Sequence, residues 1–123
     1  PKGFPSSTST RGRGKYGAQR TVYKGVTYDS KSEAHYAMYL DALLKAKRIK
    51  GWSGQAKVEL VVCGAKVCRM VPDFLVEHKD GRFEYVEVKG METAVYKIKV
   101  KLFRALFPEA WYTVVPAKKA LAL

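Results

Sequence analysis

The stretch from Val71 to Gly90 reads V-P-D-F-L-V-E-H-K-D-G-R-F-E-Y-V-E-V-K-G, and no other part of the chain restricts the fold as tightly. Two β-rich arms, Asp73 to His78 and Arg82 to Lys89, flank Lys79-Asp80-Gly81. A short loop ending in glycine fits a type I turn closed by a left-handed residue, so a β-hairpin is expected. A three-residue loop pairs His78 with Arg82 and, counting back, sets Asp73 across from Glu87. Side chains alternate faces along a strand, so Asp73, Glu87 and Lys89 then share one face. A two-residue Asp80-Gly81 loop instead sets Asp73 against Val88, and a bulge is needed to restore the group. Like charges directly opposite each other destabilise a sheet, which points to a cation that holds them.

The elements around this hairpin follow from periodicity and caps. Residues 1–17 are rich in Gly, Ser and Thr and carry Arg11, Arg13 and Lys15, so they are expected to form a basic flexible arm. Residues 18–123 are expected to form one domain, the size that a single core supports. Thr21 to Tyr28 suits a short hairpin around Lys24-Gly25. Ser30 with Glu33 three residues on is a capping box and starts a helix over 31–47, with Ala37, Leu40 and Leu44 as its inward row and Ala34, Tyr36 and Leu43 alongside. Glu33 has two readings: it closes the box, and it begins the row 33, 37, 40 and 44. A carboxylate on that inward row is unfavourable unless something binds it.

Ile49 to Gly54 reads as a turn. Lys57 to Cys63 and Lys66 to His78 read as strands, the second interrupted by a bulge or edge position at Pro72. Thr93 opens a second helix over 94–107, with Val95, Ile98, Leu102, Ala105 and Leu106 inward and Lys97, Lys101 and Arg104 on another face. Trp111 to Val115 is a last buried strand, followed by a tail with Lys118 and Lys119. The order is helix, three strands in a meander, helix, strand. The final strand is expected to lie parallel to its neighbour, giving an α/β fold with a mixed sheet. Cys63 and Cys68 can face each other near a turn as a disulfide; we expect buried, reduced thiols in a cytosolic protein, and no zinc site.

Charge narrows the partners. Lys and Arg number 23 against 11 Asp and Glu, a net charge of +12. That balance favours a polyanion, nucleic acid before an anionic membrane surface. No apolar run reaches the length of a membrane span and no secretory signal pattern is present. Arg20 extends the basic N-terminal arm as a phosphate contact, and Lys97, Lys99 and Lys101 follow the second hairpin arm closely enough to face phosphate, with Lys97 and Lys101 as the first candidates. The chain has no Asn and only two Gln, a depletion of thermolabile amides that points to a hot-living source.

Two carboxylates and an ammonium suit phosphodiester hydrolysis. Asp73 and Glu87 can hold a Mg²⁺ ion, and the Val88 carbonyl between Glu87 and Lys89 is placed as a third ligand. Lys89 can orient or deprotonate the attacking water. Covalent catalysis has no candidate, since neither cysteine has a nearby His and no serine sits in a nucleophile elbow. His35 and His78 read as surface or half-buried histidines, Glu77 as solvated or ion-paired about 13 Å along the strand from Asp73. Tyr23, Tyr28 and Tyr96 read as core.

Pro72-Asp73 followed by Glu87-Val88-Lys89 resembles the signature of the PD-(D/E)XK nuclease superfamily. Glu33 resembles the extra acid many members carry on the preceding helix, and Gln55 a polar position near such sites. The expected order resembles that superfamily's restriction-endonuclease-like αβββαβ core. From about Tyr16 to Val115 the chain further resembles phage-encoded Holliday-junction resolvases related to the archaeal type. The resemblance implies a homodimeric DNA endonuclease for four-way junctions that uses Mg²⁺, with Mn²⁺ able to substitute. It also implies catalytic roles for Glu33, Asp73, Glu87 and Lys89, with Glu33 meeting the metal through water. A nuclease of the same fold for flaps, nicks or duplex, and a basic DNA-binding protein with a structural acidic cluster, are the alternatives.

Overall fold

The computed structural model describes residues 19–123. Its centre is a four-stranded sheet of β3 (Gly51–Gly54), β6 (Phe74–Glu77), β7 (Phe83–Lys89) and β8 (Trp111–Pro116), in that spatial order. β3 and β6 pair antiparallel, as do β6 and β7, and β8 runs parallel to β7. α1 (Lys31–Lys45) and α2 (Ala94–Leu106) are the two longer helices. Two hairpins stand apart as separate two-stranded sheets: β1 (Thr21–Tyr23) with β2 (Val26–Tyr28), and β4 (Val58–Val62) with β5 (Ala65–Met70). A short α3 (Ala117–Leu121) closes the chain. The fold is α/β with a mixed sheet. With the hairpins and α3 set aside, the elements run α, β, β, β, α, β.

The first strand of the sheet differs from the expected one. Gly51-Trp52-Ser53-Gly54 reads locally as a turn, yet it forms β3 and pairs with β6. Tertiary contacts hold it there. Trp52 meets Phe74 edge-on at 5.6 Å, and its Nε1 donates to Asp41 Oδ1 at 2.9 Å. The stretch from Lys57 to Cys63 does form β4, but β4 and β5 make their own ladder, with a register shift after Leu60. Pro72 is fully buried between β5 and β6, where the ladder stops and restarts. A residue without an amide donor ends pairing there rather than bulging it.

Both helices start on the expected caps. Ser30 Oγ accepts from the Glu33 amide at 3.1 Å, and Thr93 Oγ1 from the Tyr96 amide at 3.1 Å. Their buried faces need correction. On α1, Ala34, Tyr36, Ala37 and Leu40 are buried and Leu43 packs against them as expected, whereas Leu44 is 40 % exposed. On α2, Val95 and Ile98 are 63 % and 67 % exposed and Ala105 is exposed, whereas Leu102 and Leu106 do pack inward, beside the buried Phe103 and the half-buried Tyr96 and Val100. Apolar residues at 95/96 and 102/103 offer two stripes about 100° apart. The stripe with the aromatic rings wins because it removes more apolar surface from water. Lys118 and Lys119, expected in a tail, lie in α3. Cys63 is exposed and Cys68 half-buried, and both are free thiols, so the hairpin tip does not bury them.

Alternation along β7 splits the interior in two. Val86 and Val88 join Phe74, Val76, Val115 and the α1 side chains. Tyr85 faces the other way, onto Phe103 of α2, Tyr112, Leu60 and Met70. Glu87 and Lys89 alternate with the valines and therefore face the α2 side.

Candidate active site

Hairpin register places the site. The His78 amide donates to the Arg82 carbonyl at 2.9 Å, and the Gly81 amide to the His78 carbonyl at 3.0 Å. Gly81 takes φ +89°, a left-handed conformation that a side chain disfavours. Asp80 Oδ1 accepts from the Arg82 amide and Oδ2 from Arg82 Nε, which hold its carboxyl below the ordinary range. This is the three-residue loop. The ladder pairs Glu77 with Phe83, Val76 with Glu84, Leu75 with Tyr85 and Phe74 with Val86. The ladder ends there, and the same register carried one residue further puts Asp73 across from Glu87.

That row continues across β3. Gly54 pairs with Phe74, and the Gln55 amide donates to the Asp73 carbonyl at 2.9 Å. Gln55 takes φ +50°, turning the chain away at the end of the row Gln55, Asp73, Glu87. Both acids are buried, Asp73 8 % and Glu87 9 % exposed. Asp73 Oδ2 accepts from the Val88 amide at 2.8 Å, which ties its carboxylate to β7. Lys89 Nζ lies 3.9 Å from Glu87 Oε2 and 4.3 Å from the centre of the Tyr96 ring. A cation over a ring face is attracted by the ring quadrupole, so Tyr96 holds the ammonium beside Glu87.

The hydroxyls of Tyr96 and Tyr112 lie 2.9 Å apart. Burial pushes the Tyr112 phenol up, as do its hydrogen bond to Tyr96 and the negative charge of Glu87 and Asp73. Burial also pushes Tyr96 up, and the acids Glu87 and Glu92 act the same way against the Tyr112 bond. Both phenols therefore stay neutral. Between the end of β5 and α2 opens a cleft of about 290 Å³, lined by Arg69, Val71, Glu87, Lys89, Tyr96 and Lys99 among others.

The structure thus brings together Asp73, Glu87, Val88 and Lys89. Glu33 sits half-buried in the first turn of α1, which packs on the opposite face of the sheet from Glu87. Among the described residues no group of three His, Cys, Asp or Glu is placed to hold a metal ion. Arg20 pairs with Asp29 at 3.9 Å and its side chain is 14 % exposed. Lys97 and Lys101 are exposed on α2, and neither lines the cleft. Arg11, Arg13 and Lys15 lie outside the described residues.

The bystanders have structural partners. Glu77 pairs with Lys50 at 3.5 Å, and His78 Nε2 lies 2.8 Å from Glu84 Oε1 with its ring stacked on Trp111. Sequence reasoning named Lys99 beside Lys97 and Lys101 for a phosphate-facing role, but passed over Arg69, the separation of Lys99 from the other two, and the positioning role of Tyr96. A signal existed: Lys99 shares the helical row of Tyr96 and Phe103, at steps of three and four. No curated protein matches the chain. A family model described as "Protein of unknown function (DUF1064)" matches residues 13–120, and the chain belongs to that family.

Proposed function

We propose that the protein is a metal-dependent DNA endonuclease that hydrolyses phosphodiester bonds, with four-way junctions as its preferred substrate and a homodimer as its working form. One observation carries the hydrolytic reading: Asp73, bonded to the Val88 amide just past the end of the ladder, and Glu87 are both buried, with Lys89 3.9 Å from Glu87. Burial of two acids on adjacent strands opposes folding, and the arrangement makes sense where a cation joins them. The preference for junctions and the dimer rest on the likeness to Holliday-junction resolvases of the PD-(D/E)XK superfamily. The element order and the +12 charge agree with a restriction-endonuclease-like domain that acts on a polyanion.

The donor set fits Mg²⁺, which takes one or two carboxylates and keeps its other positions for water and substrate phosphate. Asp73 and Glu87 would hold it with the Val88 carbonyl, and Mn²⁺ suits the same oxygen donors. Once bound, the ion supplies charge neutralisation and a water of lowered pKa. The chain's own residues do the rest. The Val88 amide keeps the Asp73 carboxylate turned toward β7. Lys89 Nζ, held against Tyr96, donates to the attacking water and offsets negative charge growing on the phosphoryl oxygens.

The test is a labelled four-way junction incubated with the protein in Mg²⁺ and in EDTA. Paired symmetric nicks that vanish in EDTA and in Asp73→Asn, with junction binding retained, are expected. Equal cutting of linear duplex would replace junction preference with a broader nuclease activity. Binding without cutting in Mg²⁺ and Mn²⁺ would make the acids structural and the protein a DNA-binding module.

A further inference from the structure

The cleft beside the acids carries more charge than hydrolysis needs. Its lining includes three cations, Arg69, Lys89 and Lys99, against a single acid, Glu87. Lys89 is accounted for by Glu87 and Tyr96. Arg69 and Lys99 are not. Lys99 Nζ donates to the Arg69 backbone carbonyl at 3.0 Å, so the ammonium is fixed where α2 meets β5. One of its three donors is used there. Glu59, the register partner of Arg69 across the hairpin, is engaged by Lys66 at 3.0 Å. The Arg69 side chain, on an exposed residue, lines the cleft.

The position of the pair is set by the fold. Met70 is buried against the α2 side of the interior, which anchors the preceding residue, Arg69, beside the helix. A cleft of about 290 Å³ is at the small end of ligand sites, the scale of one nucleotide unit rather than of a duplex groove. Its apolar wall, Val71 and Val95, offers no partner to a charged group and suits a sugar face.

We propose that Arg69 and Lys99 form a phosphate clamp, which holds a backbone phosphate next to the scissile one and so seats the DNA strand against Asp73 and Glu87. The inference extends the nuclease reading to its substrate contacts. It assigns the strand to the row that contains Tyr96 and Lys99, while Lys97 and Lys101 lie on the outer face of the same helix. Arginine supplies a planar fork for two phosphate oxygens, and lysine a point charge beside it.

Binding is measured in EDTA with the Asp73→Asn protein and a four-way junction over a range of salt concentrations, so no cutting is required. Each lost phosphate contact lowers the slope of log K against log salt by about 0.9 and weakens binding roughly tenfold at 0.1 M salt. Arg69→Ala and Lys99→Ala are each expected to show that change, and the double variant about twice the slope change. Lys45→Ala, on the α1 side, is the comparison for loss of a general positive charge. Lys99→Gln keeps a donor for the Arg69 carbonyl and separates loss of charge from loss of fold. Slopes for Arg69→Ala and Lys99→Gln equal to that of Lys45→Ala would overturn the clamp, even if the wild-type protein cuts junctions. Reduced slopes in a protein that cuts nothing would keep the clamp and remove the nuclease reading.

Discussion

On the α1 side of the sheet, β7 presents Val86 and Val88; on the α2 side the same strand presents Tyr85, Glu87 and Lys89. The first set meets Phe74, Val76 and Val115 in an apolar layer. The second begins on Phe103 and Tyr112 but ends on a buried acid facing another acid. One face is an apolar layer, and the open end of the other places buried charge beside the Val88 amide and Lys89. The contrast teaches where to look for chemistry in a small domain: on the face where alternation stops being apolar while burial continues.

The largest expected effect tests that division directly. Asp73→Asn keeps an acceptor for the Val88 amide but loses a charge, and junction cleavage should fall on the order of 10³-fold or more. Its midpoint of denaturation should stay level or rise, because a like-charge pair has been relieved. A variant that unfolds while losing activity would break the comparison, since the α2-side acids would then be holding the fold.

Phe74→Ala makes the opposite test. Phe74 is wholly buried among Tyr28, Tyr36 and Trp52, and its truncation should cost about 3–5 kcal/mol in urea unfolding. Molecules that remain folded should cleave at close to the wild-type rate per active site, a point checked by active-site titration.

Asp41 sharpens the account of the α1 side. It accepts from Tyr23 Oη at 2.6 Å and Trp52 Nε1 at 2.9 Å, with Lys24 Nζ at 3.4 Å, and so joins β1, β3 and α1. Desolvation pushes its carboxyl up, but the hydrogen bonds and Lys24 outweigh it and the net shift is downward. A lowered folded value means the contribution is present above the ordinary value of 3.8 and lost as pH falls through the folded value. Asp41→Asn should lose about 1–2 kcal/mol at neutral pH, and the gap to wild type should close in acid. Tyr23 shows the other limb. Its hydrogen bond to Asp41 raises its pKa to about 12, so that contribution holds below pH 10 and fades as pH rises through about 12. Absorbance titration of tyrosinate in wild type and Tyr23→Phe checks it.

The smallest effect concerns Tyr96. Tyr96→Leu removes the ring face under Lys89 and should lower kcat roughly tenfold with little change in KM. Tyr96→Phe keeps the face, loses only the hydroxyl contact with Tyr112, and should restore most of the rate. Equal losses in both variants would move the effect from the ring to the hydroxyl pair.

Much of this site was legible beforehand because its rules are short-range. Lys79-Asp80-Gly81 sets the loop length, loop length sets the register, and strand alternation then puts Asp73, Glu87 and Lys89 on one side. Ser30 and Thr93 announced their helices for the same reason: a cap acts on an amide three residues away. Glycine at both ends of β3 hid a strand that exists because Trp52 meets Phe74 and Asp41. The face of α2 was also hidden, since Val95-Tyr96 and Leu102-Phe103 allow two stripes and only the packed interior chooses between them.

The sequence by itself determined the hairpin, the two helix starts and the basic charge, and it offered the three-residue loop, with the shared face of the acids, as one of two registers. Each depends on neighbours a few residues apart, or on composition alone. Tertiary structure decided which strand opens the sheet, which α2 row turns inward, and that Tyr96 lies under Lys89 and Lys99 against Arg69. Those contacts join residues far apart in the chain, and the choice among them is made by the burial of aromatic surface, a sum over the whole interior that no local pattern contains.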